Sequence, residues 1–194
     1  MPRAFLAISL PIAVRSTLVS VRDAFLAVDP SWRGEKWVAE ENLHITLRFL
    51  GNVPDAVCPH VTAAVRDAVA ELEPFRMHLD SVRAIPRARS ASLLWVAPRI
   101  GAEETAALAE IVARATSFLD FDPEGRSFKA HVTLCRARHP RRVDVSALDA
   151  AEHVLSRSDE RGTSMSVREV TLFSSVLTPR GPVYEELAIV PFGT

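Results

Sequence analysis

Apolar residues fill positions 4–8 without alternating (Ala4, Phe5, Leu6, Ala7, Ile8), and a short run of this kind predicts a buried strand over 3–9. After Pro11 the spacing changes to steps of three and four: Val14, Leu18, Val21, Phe25 and Val28. That is the stripe of an amphipathic helix, ending before Asp29-Pro30. A turn over Ser31–Gly34 and the pair Trp37-Val38 lead into a strand at 43–50, closed by Gly51-Asn52. A second helical stripe (Val57, Val61, Val65, Val69, Leu72) runs from Pro54 until Pro74 stops it.

Positions 75–85 alternate apolar and polar, the period of a half-buried strand, and Leu93–Val96 return after the basic turn Pro86–Ser90. Gly101 opens a third helix with Glu103 and Glu104 in its first turn and Leu108, Ile111, Val112, Ala115 and Leu119 on its stripe. A Pro123–Gly125 turn precedes a strand at 128–137, followed by a basic loop, Arg138–Arg142. A short helix over 146–156, a polar loop over Ser158–Ser164, and strands at 165–176 and 183–190 around a Thr178–Pro182 turn complete the chain.

Two of these strands carry the same text, His44-Ile45-Thr46-Leu47 and His131-Val132-Thr133-Leu134. In an extended strand alternate side chains share a face, so each strand offers His and Thr on one side and two apolar residues on the other. The second copy lies near half the chain length after the first, and a helix-then-strand order surrounds both. A duplicated unit is therefore expected, with its two polar faces meeting across a cleft. Alternation continued from His44 puts Arg48 on the polar face and Phe49 opposite; from His131 it puts Cys135 on the polar face and Arg136 opposite.

The 194 residues are 48% apolar and 24% charged, which suits one domain or two intimately packed small lobes. A net charge of −1 excludes bulk polyanion binding and leaves only local arginine clusters for nucleic acid. Two cysteines far apart in sequence, Cys58 and Cys135, fit a reducing compartment and provide no thiolate cluster for zinc. The apolar N-terminal run is too short for a signal segment and no stretch approaches a membrane span, so a cytoplasmic location is expected, with no membrane partner.

Two facing histidines form a natural acid/base pair, because an imidazole with a pKa of about 6.5 is at home in either protonation state. One takes a proton from water and the other gives one to a leaving alkoxide, each role worth roughly 10²–10⁴ in rate. Hydroxyls and arginine beside them suit a phosphate. No carboxylate–histidine set has metal-ligand spacing, so phosphodiester cleavage without metal or other cofactor is the expectation.

The two His-x-Thr motifs resemble the double signature of the two-histidine phosphoesterase superfamily. Arg3–Ile8, Asn42-Leu43-His44 running to Phe49-Leu50-Gly51, and Gly181–Leu187 are similar to its RNA 2′,3′-cyclic phosphodiesterase branch, also called 2′-5′ RNA ligase. The resemblance implies an α+β fold across residues 1–194: one bilobal domain of two pseudo-symmetric lobes, antiparallel sheets around a central cleft, helices outside. It implies hydrolysis of RNA 2′,3′-cyclic phosphate ends to 2′-phosphomonoesters, with His44 as general acid, His131 as general base, and weak reversible 2′-5′ ligation. Thr46 and Thr133 would hold phosphate oxygens, Arg136 would add a cation, and Phe49 would stack on the terminal base. The branch often has proline before its second histidine; Ala130 stands here, a change without chemical consequence.

Arg48, on the polar face by alternation, and Tyr184 are further candidate substrate contacts, and Tyr184 is as readily a packed strand residue. Arg87 and Arg89 are candidates for the RNA strand beyond the terminal nucleotide, whereas Arg138, Arg141 and Arg142 form a solvated loop or touch RNA. Trp37 and Trp95 are read as core or lobe-junction residues, and His60, His78, His139 and His153, lacking a Thr partner, as surface or satisfied core residues. The expected partners are RNA ends or small nucleotides with a cyclic phosphate, and the expected state is a monomer. Two other readings stay open: a module that binds RNA ends or nucleotide phosphates without turnover, and a related diesterase acting on another small cyclic or 2′-5′ nucleotide.

Overall fold

The computed structural model describes residues 3–119, 128–179 and 181–193, so the expected Pro123–Gly125 turn lies outside the described residues. The chain runs β1 (Arg3–Ser9), α1 (Ile12–Val28), β2 (Lys36–Trp37), β3 (His44–Asn52), α2 (Cys58–Val69), β4 (Phe75–Ile85), β5 (Ala91–Ile100) and α3 (Ala102–Ala115). It continues through β6 (Val132–Arg141), α4 (Val145–Arg157), α5 (Glu160–Thr163), β7 (Ser164–Val167), β8 (Glu169–Thr178) and β9 (Gly181–Pro191). The strands form two antiparallel sheets: sheet A, ordered β3-β1-β8-β9, and sheet B, ordered β2-β6-β5-β4-β7. The first His-x-Thr strand is therefore in one sheet and the second in the other.

The unbroken apolar run of β1 follows from its central place in sheet A. Ala4, Leu6 and Ile8 join the main core, while Phe5 and Ala7 are buried on the opposite face. The stripe of α1 is buried at Val14, Leu18, Val21 and Phe25, each contributing about 1.5–3 kcal/mol. Helix α1 packs on α4 and α4 on β4, covering the outer side of sheet B; α2 and α3 pack together against β9 and β3, covering sheet A. Helix α3 can begin where it does because Gly101, at φ +82°, passes so close to β4 that a Cβ would lie 2.6 Å from the Arg76 carbonyl oxygen. With the helices outside, the His-bearing faces stay uncovered.

Three expected boundaries change. The basic segment 138–141 is the end of β6, held to the segment before β2 by Glu35: its carboxylate accepts from the Arg138 backbone N–H at 2.8 Å and from the Arg141 guanidinium at 2.6 Å. The expected polar loop over 158–164 contains α5, capped by Asp159, whose side chain accepts from the Gly162 N–H. The expected strand at 165–176 is two strands, β7 paired with β4 in sheet B and β8 paired with β1 in sheet A. The alternation breaks at Arg168-Glu169, but a charged pair between two apolar runs does not by itself tell a change of sheet from a bulge within one strand. Among the described residues, no helix is long and apolar enough to cross a membrane.

Candidate active site

Both motif strands contain the same irregularity. In β3, Arg48 pairs with Leu6 and Thr46 with Ala7, leaving Leu47 as an extra residue. In β6, Cys135 pairs with Leu94 and Thr133 with Trp95, leaving Leu134 extra. A bulge resets which side chains share a face, and bulges commonly re-aim a residue beside a functional site. Phe49 therefore pairs with Phe5, and Arg136 with Leu93, on the same faces as Thr46 and Thr133. Strict alternation is corrected at four positions at once: Phe49 and Arg136 turn toward the histidines, Arg48 and Cys135 away from them.

The environments follow. Arg48 donates from Nη1 to the Ala113 carbonyl of α3 at 2.6 Å, so it ties the sheet to its covering helix instead of facing the cleft. Cys135 is fully buried in the core, and burial pushes its thiol pKa up to about 12. Phe49 is 56% exposed, an uncommon state for a phenylalanine and one that leaves its ring open to a ligand.

His44 opens β3 and is held on every side. Its Nδ1–H donates to the Asn42 carbonyl at 2.7 Å, and Nε2 lies 2.9 Å from the Thr46 hydroxyl. The ring is 4.9 Å from Phe5 and meets Tyr184 edge-on at 5.3 Å. Burial lowers the pKa of His44; the positive charges of His131 and Arg136 lower it further, against the opposing Asn42 hydrogen bond. His131 and Arg136 belong to the sheet B side, and β3 and β6 are in direct contact across the two sheets. Tyr184 on β9 is raised by burial, with Arg136 opposing.

His131 repeats the arrangement: its Nδ1–H donates to the Lys129 carbonyl, also two residues back and also at 2.7 Å. In both histidines the same backbone contact fixes the ring and assigns the chemistry to Nε2. Trp95 stacks on His131, ring centroids 4.2 Å apart and planes tilted by 35°. The core or lobe-junction reading of Trp95 is thus corrected, whereas Trp37 packs on Phe25 and donates to the Trp32 carbonyl.

Two contributors escaped the residue pattern. Trp95 reaches the site through register, opposite Thr133, which no periodicity encodes. Asn42 offers its carbonyl to His44 while its side-chain amide donates to the Pro182 carbonyl at 2.8 Å, tying the β8–β9 hairpin to the first motif. The other arginines vary: Arg141 is paired with Glu35 and lies over Trp32, and Arg87 and Arg89 are exposed at the β4–β5 turn. His78 is satisfied by Ser164 at 2.9 Å. Among the described residues no group of three or more His, Cys, Asp or Glu side chains is placed to hold a metal ion.

The family model of the 2′-5′ RNA ligase superfamily matches residues 21–177. The chain belongs to that superfamily. An RNA 2′,3′-cyclic phosphodiesterase of Methanothermobacter thermautotrophicus is 30% identical over 191 residues, covering 96% of this chain and 97% of that protein. One from Aeropyrum pernix is 33% identical over 152 residues, covering 78% and 83%. A crystal structure of a Thermus thermophilus protein superposes with a TM-score of 0.76 at 27% identity, covering 98% of each chain. The α+β superfamily fold, with its antiparallel sheets, is thus the fold of this chain.

Proposed function

We propose that this protein is a metal-independent RNA 2′,3′-cyclic phosphodiesterase that opens a terminal cyclic phosphate to a 2′-phosphomonoester through His44 and His131. The observation that carries the reading is the matched fixing of both imidazoles, each Nδ1 bonded to the carbonyl two residues back. The relatives' names add the substrate class. The repeated bulge supports reading the chain as one bilobal domain built from a duplicated unit.

In this mechanism Nε2 of His131 takes a proton from water as the water oxygen bonds to phosphorus. The bond from phosphorus to O3′ breaks, and Nε2–H of His44 delivers its proton to O3′. The phosphate stays on O2′. Turnover leaves His131 with one proton more and His44 with one fewer, and exchange with solvent resets both rings. Thr46, Thr133 and Arg136 hold the phosphate oxygens as their charge grows. Phe49 stacks on the terminal base, a contact worth about 1–3 kcal/mol.

The lowered pKa of His44 fits the acid role. A buried imidazolium is a strong proton donor, and the phosphodiester anion restores its protonation when substrate binds. A 5′-hydroxyl in place of water gives a 2′-5′ linkage by the same steps, which accounts for ligation as a reversible side reaction.

Product analysis on an oligoribonucleotide ending in a 2′,3′-cyclic phosphate tests the reading. With EDTA present, the wild type should turn over many equivalents to the 2′-phosphate, and His44→Ala and His131→Ala should abolish turnover while remaining folded. Full activity in either variant, a 3′-phosphate product, or saturable binding without product would reject it.

A further inference from the structure

The two walls of the cleft differ in chemistry. Sheet A presents Phe5, Phe49, Phe173 and Tyr184, and Glu186 pairs with Phe173 on the same face. Sheet B presents cations. Lys36 pairs with Arg136 across β2 and β6, and Arg83 pairs with Trp95 across β4 and β5, which puts Lys36 and Arg83 on the face that carries Arg136, Trp95 and Thr133.

These charges are not consumed by the fold. Among the described residues the ion pairs engage Arg22, Arg76, Arg99 and Arg141, and none engages Lys36, Arg83 or Arg136. Lys36 and Arg83 are exposed, and the bond from Arg83 is to the Ser81 hydroxyl at 3.4 Å. Exposed cations that a protein leaves unpaired beside a phosphate site are placed to neutralise more phosphate. In the order β2-β6-β5-β4 the two residues are three strand spacings apart, about 14–15 Å, the reach of a few nucleotides and more than one cyclic phosphate needs.

We propose that the cleft face of sheet B is the track for the RNA strand on the 5′ side of the cyclic phosphate, with Lys36 and Arg83 on its phosphates. The inference rests on the phosphodiesterase reading and adds a direction to it. The terminal nucleoside lies on the aromatic wall of sheet A, the cyclic phosphate between the histidines, and the rest of the strand crosses sheet B. Leu93, between Arg136 and the β4 edge on that face, offers an apolar floor for a base. With this track, an oligonucleotide end is a better substrate than a free cyclic mononucleotide bearing the same group.

The test compares kcat/KM for adenosine 2′,3′-cyclic phosphate with that for a five-nucleotide RNA ending in the same group, in the wild type and in Lys36→Ala/Arg83→Ala. The wild type should prefer the oligomer at least about tenfold at low salt, and the double variant should lose most of that ratio. Two phosphate contacts on a single strand contribute about 1.4 to the salt slope, so about sevenfold of the wild-type loss between 50 and 200 mM salt should be missing from the variant. Mononucleotide turnover without oligomer preference, or a variant that keeps the preference, overturns the track and leaves the phosphodiesterase reading standing. Failure to turn over either substrate overturns that reading, and the track with it.

Discussion

The Thr46 hydroxyl lies 2.9 Å from Nε2 of His44, the nitrogen that its partner Nδ1, bonded to Asn42, leaves for chemistry. The hydroxyl therefore occupies, in the free protein, the place beside the ring where a phosphate ester oxygen would sit. Replacing Thr46 with Val keeps the β-branched shape and removes the hydroxyl that donates there. Thr46→Val should lower kcat about 10²-fold, the scale for losing one donor to a charged oxygen, while Thr46→Ser stays within a few-fold. Steady-state kinetics on a cyclic-phosphate substrate, with circular dichroism to verify folding, reads this directly.

Burial of a neutral His44 also makes the fold sensitive to pH. Its native pKa is below the ordinary 6.5, so between those values the unfolded chain binds more protons at this residue than the native one. The stability it contributes is complete above pH 6.5 and is lost as pH falls from 6.5 toward the lowered native value. In His44→Asn that loss is absent. Melting temperatures of the two proteins at about pH 7.5 and about pH 5.5 should show the wild type losing ground against the variant on acidification.

Neighbours on either side of the β3 bulge should fail in different assays. Phe49→Ala removes the open ring and should raise KM by about five- to 150-fold, the kinetic equivalent of a lost base stack, with little change in melting. Arg48→Met should instead lower stability by about 1–3 kcal/mol, because the Ala113 carbonyl loses a charged donor. Thermal melts and KM values measured on both variants separate the two effects.

Trp95 supports the second histidine from one side while the Lys129 carbonyl holds it from another. Trp95→Leu should let the imidazole swing and lower kcat roughly tenfold to 10²-fold, with KM within about twofold. Trp95→Phe, which keeps an aromatic face, should recover most of the rate. A general structural defect would not be rescued this way, so the three-way comparison of kcat, KM and melting temperature isolates positioning.

The buried first strand, the helix stripes and both His-x-Thr strands could be read from spacing alone. Each of these depends on local periodicity: 3.6 residues per turn, or alternation by two, imposed on a chain with one apolar side to bury. Val14, Leu18, Val21 and Phe25 are predicted from the pattern and buried in the fold for the same reason. Even the chemistry was local in part, because His and Thr two apart must share a face wherever a strand is regular.

What alternation could not foresee begins one residue past each threonine. The extra residues Leu47 and Leu134 reverse the facing of the pair that follows each threonine, Arg48 and Phe49 in one strand and Cys135 and Arg136 in the other, and a bulge is set by how two strands register, not by the hydropathy of either. Register likewise placed Trp95 opposite Thr133, and the switch of sheets at Arg168 brought β8 beside β1. The sequence by itself determined which groups could do acid–base chemistry on a phosphate. Tertiary structure decided which of them meet, because the partners of a strand lie far away in the chain and the pairing that selects them is settled only when both sheets close on their shared core.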